Sequence, residues 1–202
     1  INASGTVMSN GAGLIILKRY EDALANNDFS HAVISGYGMN NDSDLKMGFM
    51  APGINGQFSC IQSAWKKAGF RPNDLDHIEA HGTATRVGDP VEIYALKKAC
   101  QSFNITEPCA VGSVKSNIGH TTIASGMAAI IKTALMLQHK AIVPSINFQT
   151  LNPNIPLEGA PIYIPTNYQK LPETRERPTM AVSNFGLGGT NTHIVLQGGT
   201  GL

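Results

Sequence analysis

Charge is scarce in this sequence. Charged side chains make up 14% of its 202 residues, and 15 Lys and Arg stand against 14 Asp and Glu. So even a balance offers no basic face to a nucleic-acid backbone and no polybasic patch to an anionic membrane. Cysteine is equally thin. Cys60, Cys100 and Cys109 fall at unrelated spacings, and an odd number without a CxxC argues against both a disulfide framework and a cysteine zinc site. A reduced, cytoplasmic compartment is the expectation. There is no long apolar run either: residues 123–137 are the most apolar window, but Ser125, Lys132 and Thr133 interrupt it, and a membrane span needs about 20 residues. The opening INASGTVMSNGAG has no basic n-region and no apolar core, so it reads as neither signal peptide nor anchor. One local absence bears on chemistry. No Asp or Glu occurs between Glu107 and Glu158, so Lys115 and His120 have no acidic neighbour along the chain, and whatever they face must come from elsewhere.

What is present is apolar and periodic. With 42% hydrophobic residues the chain can bury a sizeable core. GAGLIIL at 11–17 suits a buried strand, Glu21–Ala25 a short helix, and HAVISG at 31–36 a second strand. YGMNNDSDLKMGFMAPG, without a period, reads as a loop. From Gln57 a helix is predicted, with Ile61, Ala64, Trp65 and Ala68 on one face and Gly69 as its stop. Leu75–Ala80 is a strand that delivers His81. Asp89 then caps a helix with Pro90 at its first position and Glu92 reaching back to the cap, and Ile93, Leu96 and Cys100 mark its inner face. Cys109–Val114 forms another strand, followed by a turn through Asn117, Gly119 and His120 and a helix over 121–139. Ala141–Phe148 is extended, LNPNIPLEGAP is a loop, and Ile162–Thr166 and Thr192–Gln197 are the last strands, the second following the glycine-rich turn SNFGLGGTN. Alternating strands and helices predict an α/β layered fold with a largely parallel central sheet and a closing antiparallel edge.

Two histidines stand out. His81 in EAHGTATRVGDP and His120 in SVKSNIGHTT each sit after a strand in a small, polar, glycine-punctuated turn. The carboxyl ends of strands are where layered α/β folds bind ligands, so the two can meet there. A lone histidine is commonly a satisfied, partly buried side chain; a pair in matching contexts is harder to explain that way. The turn Gly186–Thr190 offers backbone N–H groups to an anion or a developing oxyanion, although a tight hairpin would need no more than one or two of its glycines. It is not a dinucleotide fingerprint, since a strand follows where a helix should. Thr83 and Thr85 suit turn hydroxyls or the wall of a tunnel for a polar ligand. A zinc site from His81, His120 and His193 has no HExxH or CxxC spacing behind it, so no metal is expected. Glu79 and Glu92 are accounted for by strand and cap positions.

Taken together, EAHGTATRVGDPVE, VGSVKSNIGH and SNFGLGGTNTHIVL resemble the C-terminal half of the β-ketoacyl synthase (ketosynthase) family, which has the thiolase fold. The similarity runs essentially the full length. SGTVMSNGAGLIILKRYEDALANND, the NND at 40–42, GFMAPGINGQ and the run from IVPSINF through NPNI look most like ketosynthases of modular polyketide synthases. The resemblance implies helices packed on a mixed, largely parallel sheet, with residues 1–30 the tail end of the N-terminal half and 31–202 the C-terminal half. It implies that a cysteine carries the acyl chain as a thioester, and that His81 and His120 promote decarboxylation of a carrier-bound malonyl unit whose carbanion attacks that thioester. By the same resemblance Lys115 supports His120, the Leu187 backbone N–H donates to the second oxyanion, and Thr83 and Thr85 contact a phosphopantetheine arm. No tightly bound cofactor is implied. The implied partners are the N-terminal half, an acyl carrier protein and a second copy in a homodimer, with neither nucleic acid nor membrane.

The departures matter. The family's nucleophilic cysteine lies in an elbow of small residues in its N-terminal half, and nothing like it occurs here; Cys60, Cys100 and Cys109 have no activating base. Ala84 replaces the usual glycine of HGTGT, and Asn10 stands where many relatives have glutamate. The expectation is therefore about half an active site, inactive alone, in a piece of a longer synthase or one half of a split domain. The alternative is a non-catalytic scaffold like a chain-length factor or a non-elongating ketosynthase. Retention of both histidines favours elongation.

Overall fold

A computed structural model describes residues 5–42, 48, 51–155 and 157–199. In chain order the elements are α1 (Tyr20–Ala25), β1 (Ala32–Asn41), α2 (Ile54–Ala68), β2 (Leu75–Glu79), α3 (Gly88–Ser102), β3 (Cys109–Gly112), α4 (Lys115–Ile118), α5 (Ser125–Gln138), β4 (Ala141–Ile142), β5 (Ile162–Tyr163), β6 (Gln169–Lys170), β7 (Thr179–Phe185) and β8 (Thr190–Gly198). Six strands form one sheet in the order β1-β8-β7-β2-β3-β5. β7, β2, β3 and β5 are parallel neighbours, and β8 runs antiparallel to β7 and β1, which makes the sheet mixed with an antiparallel edge. β4 and β6 pair separately. Strand side chains alternate between two cores, as the pleat requires. Val111, Ala181 and Val195 face α2 and α3, where they join Ile61, Trp65, Leu96 and Cys100. Ala110, Met180, Val182 and Leu196 face α5, where they join Ala129, Met136 and Leu137.

The helix readings hold at their packing faces. Ile61, Ala64, Trp65, Ile93, Leu96 and Cys100 are all buried, and Gly69 ends α2 in the left-handed region at φ +62°. The strand readings need correction. β7 is absent from the sequence-based expectation, because TMAV is a fully buried run without alternation, and its last residues, SNF, read as part of the glycine turn; yet it joins β8 to β2 at the centre of the sheet. β1 extends to Asn41, through residues expected as loop. Gly38 permits this, since a Cβ there would lie 2.1 Å from the Cys60 carbonyl oxygen of α2. Asn40 Nδ2 donates to Gly56 O at 2.8 Å and Asn191 Nδ2 to Asp42 Oδ1 at 2.7 Å, so these polar residues are pinned rather than loose. The remainder of that loop, at 43–47 and 49–50, lies outside the described residues. Residues 141–148 hold only the two-residue β4, and the 121–139 helix begins with a 3-10 turn at Thr122–Ala124.

The run Gly11–Leu17, expected as a buried strand, belongs to no strand of the described residues. Leu14, Ile16 and Leu17 are 79%, 90% and 69% exposed. Its glycines touch the chain: a Cβ on Gly13 would stand 2.9 Å from Met127 Cβ on α5. Among the described residues nothing buries the side chains of Leu14, Ile16 and Leu17. α5 shares this condition. It is apolar nearly all round, and Ile131 and Leu135 on its outer side are exposed beside a cleft of about 950 Å³ between α5 and residues 10–13, while Ile123 just before it is fully exposed. A helix apolar on every face is built to be covered on every face.

Candidate active site

β2 and β3 end side by side, and the loops that leave them build the site. His81 follows β2 by two residues. After β3 the chain makes the single turn α4 with Lys115 at its start, then Gly119 at φ +74° turns it into His120. No side chain fits at Gly119, since a Cβ would lie 2.9 Å from the Val7 carbonyl oxygen. His120 is held by the N-terminal segment: its N–H donates to Val7 O at 2.7 Å, and its carbonyl accepts from Ser9 N at 3.1 Å. The two imidazoles meet edge to face with ring centroids 5.5 Å apart, and Phe185 at the end of β7 lies 5.9 Å from the His81 ring. Lys115, His120 and Thr83 line a cavity of about 480 Å³.

The electrostatics favour neutral rings. Burial pushes His81 down to about 3, helped by the charges of Lys115 and His120. His120 is lowered by burial and then by Lys115. Its Nδ1 accepts the Thr122 N–H at 3.1 Å, so in the neutral ring the proton sits on Nε2, which is left as a donor. Lys115 Nζ is buried and has no hydrogen-bond partner among the described residues. Burial lowers its pKa, opposed by Glu92 and Glu79 and assisted by Lys132. The acidic groups absent from its own stretch of sequence thus arrive from β2 and α3.

The two carboxylates of α3 serve the His81 turn rather than the helix start. α3 begins at Gly88, and Asp89, expected as its cap, instead accepts the Ala84 N–H through Oδ1 at 3.1 Å. Glu92, expected to reach back to that cap, takes the His81 N–H on one oxygen at 2.8 Å and the Gly82 N–H on the other at 3.0 Å. Burial raises the Glu92 carboxyl to about 7. The turn needs this support because Ala84 occupies the left-handed region at φ +59°, which costs an alanine about 1–2 kcal/mol. Of the two threonines, Thr83 lines the cavity, while the Thr85 hydroxyl accepts the Gly88 N–H at 3.0 Å.

Other predicted residues are dispersed. The 186–189 turn is closed by Gly186 N to Thr190 O at 2.7 Å and Gly189 N to Gly186 O at 2.9 Å, which leaves the Leu187 N–H outside these bonds and its side chain 69% exposed. His193 belongs to the core: Trp65 Nε1 donates to its Nε2 at 2.9 Å, its Nδ1 lies 2.9 Å from Ser183 Oγ, and both nitrogens are thereby occupied. No group of three or more potential metal-ligating His, Cys, Asp or Glu side chains occurs among the described residues. Burial raises the thiols of Cys60 to about 11 and Cys100 to about 12, and that of Cys109 too, so none is an activated nucleophile. The sequence reading missed the role of Glu79. It is fully buried at the end of β2, bonded to Val114 N, His77 and Lys132. The available signal was the pattern His77-x-Glu79 on one face of a buried strand, with Lys132 breaking an apolar helix.

Comparison with known proteins agrees with this architecture. Residues 31–149 match the family model described as "Beta-ketoacyl synthase, C-terminal domain". The chain is 39% identical over 197 residues to polyketide synthase PksN of Bacillus subtilis, covering 97% of this chain and 4% of that protein. It is 39% identical over 199 residues to one component of the phenolphthiocerol/phthiocerol polyketide synthase of Mycobacterium tuberculosis, covering 98% of this chain and 13% of that one. Among solved structures, the ketosynthase from module 1 of the bacillaene synthase of Bacillus amyloliquefaciens superposes with a TM-score of 0.87 at 40% identity, covering 90% of this chain and 34% of that one. The chain therefore spans about a third of that ketosynthase and a small share of the curated synthases.

Proposed function

Because this chain belongs to the β-ketoacyl synthase family, with residues 31–149 matching its C-terminal domain, we propose that it supplies the decarboxylation half of a polyketide synthase condensing site. In this reading a malonyl thioester on the phosphopantetheine arm of an acyl carrier protein enters past Thr83 and Thr85. The bond between the malonyl carboxylate and its α-carbon breaks, carbon dioxide leaves, and the electron pair passes into the thioester enolate. His81 and His120 donate N–H bonds to the enolate oxygen as its charge develops. The carbanion then attacks an acyl thioester on a cysteine outside this chain, the Leu187 N–H stabilises the tetrahedral oxyanion, and the cysteine thiolate departs.

The observation that carries this reading is the edge-to-face His81–His120 pair at 5.5 Å, with both imidazoles pushed towards neutrality beside a buried lysine. Neutral imidazoles donate to an enolate without themselves becoming charged, and Lys115 adds positive potential where the enolate forms. The apolar faces of residues 14–17 and α5 support coverage by an N-terminal half that ends in residues 1–30, within a larger dimeric domain. Three free, buried cysteines fit a reducing cytoplasm. The test uses the complete ketosynthase domain containing this chain. His81→Ala should abolish release of carbon dioxide from a malonyl carrier substrate and spare self-acylation of the cysteine. Equal loss of both reactions overturns the assignment.

A further inference from the structure

We infer that Glu79 is a positioning residue that holds the His81 and His120 arms of the site in register, with Lys132 as its counter-charge; this rests on the decarboxylation reading above. Glu79 is the last residue of β2, fully buried, two positions before His81. One carboxylate oxygen accepts the Val114 N–H, at the entry to α4, which carries Lys115 and leads to His120. The other accepts Lys132 Nζ from α5 at 2.6 Å and lies 3.3 Å from His77 Nε2. The strands are tied at the same level, for Glu79 faces Gly112 in the parallel register and Ala80 N donates to Gly112 O at 2.7 Å. A single side chain therefore joins the strand that delivers one histidine, the loop that delivers the other, and the helix beneath both.

Stability alone is a weak reason for such a group. Buried ion pairs can commonly be replaced by apolar side chains at little or no loss, because desolvation offsets their attraction. An apolar residue at 79, however, would leave the Val114 N–H without its acceptor and α4 without its anchor. The charge matters as well. Lys115 Nζ has no hydrogen bond among the described residues and is faced by Glu79 from β2, Glu92 from α3 and Lys132 from α5, with its charge felt by His81 and His120. Removing the Glu79 charge leaves Lys132 uncompensated, so Lys115 loses its proton at lower pH; removing Lys132 has the opposite effect.

The test measures carbon dioxide release and cysteine self-acylation in the complete domain containing this chain, for Glu79→Gln, Lys132→Met, the double variant and His81→Ala. Misplacing a reacting group by about 1 Å costs up to about a hundredfold, so Glu79→Gln should lower the ratio of decarboxylation to self-acylation by about ten- to a hundredfold. The alkaline limb of its pH–rate profile should move down, and that of Lys132→Met up. The double variant should recover most of the ratio, because the amide oxygen then accepts the Val114 N–H without an ammonium opposite the amide nitrogen. A proportionate fall of both reactions in Glu79→Gln, or limbs that move the same way, overturns the inference. If Glu79→Gln does not fold, an unmoved limb in Lys132→Met or an unrecovered ratio in the double variant does so. Decarboxylation surviving in His81→Ala would instead sink the functional reading; its loss there with Glu79→Gln unaffected sinks only the positioning role.

Discussion

Glu92→Gln should change the sign of its effect on stability between acid and alkaline pH. In the folded protein the Glu92 carboxyl is raised by burial from 4.5 to about 7, while its two oxygens hold the His81 and Gly82 N–H groups at 2.8 and 3.0 Å. A carboxyl whose pKa rises on folding binds more protons in the folded than in the unfolded state between those two values. Its stabilising protonation is fully present below the unfolded pKa and lost as pH rises through the folded one. At about 1.4 kcal/mol per pKa unit, the ionised side chain lowers stability above pH 7 by about 3 kcal/mol relative to acid conditions. Glutamine removes that charge but leaves one of the two N–H groups without an acceptor, which costs about 1 kcal/mol. The variant should thus be less stable than wild type by about 1 kcal/mol at pH 4.5 and more stable by about 2 kcal/mol at pH 8. Urea unfolding of the complete domain at a series of pH values reads this directly, since groups common to both proteins cancel in the difference. A destabilisation of the same size at both ends of the range would refute the argument.

Ala84→Gly should stabilise the domain by about 0.5–1 kcal/mol, because relief of a left-handed alanine exceeds the extra unfolded-state entropy of glycine. An unchanged or lowered urea midpoint would show that the Asp89 contact already removes the strain. Trp65→Phe deletes the donor to His193 Nε2 inside the core and should cost about 1–3 kcal/mol in the same assay, with no redistribution between decarboxylation and self-acylation. A selective loss of one reaction would tie that core histidine to the chemistry.

Much of the architecture is legible in the sequence, for identifiable reasons. α2 and α3 announced themselves because one face of each is buried and the other wet, so periodicity survives in the sequence, and Gly69 marks a stop only glycine takes easily. β7 was invisible because a strand buried on both faces has no alternation to read. The run 11–17 misled for the converse reason: its aliphatic residues are apolar for the sake of a surface that the described residues do not supply. At the site, His81 and His120 were recognisable as the polar ends of two strands. Their supports were not, since Glu79, Glu92 and Asp89 look like ordinary strand and helix residues.

Sequence alone was enough to fix the chemistry-bearing groups and the turns that need them: two histidines in glycine-punctuated loops, a lysine with no acid nearby in the chain, and three cysteines without a base. Those properties are local, set by residue type and spacing. Which carboxylates face the lysine, that the imidazoles meet at 5.5 Å, and that both are driven neutral depended on three-dimensional packing. Residues separated along the chain by 35 positions, such as Glu79 and Val114, come into contact because parallel β2 and β3 end at one level. Desolvation there, a property of the packed whole, pushes His81, His120, Lys115 and Glu92 towards their neutral forms.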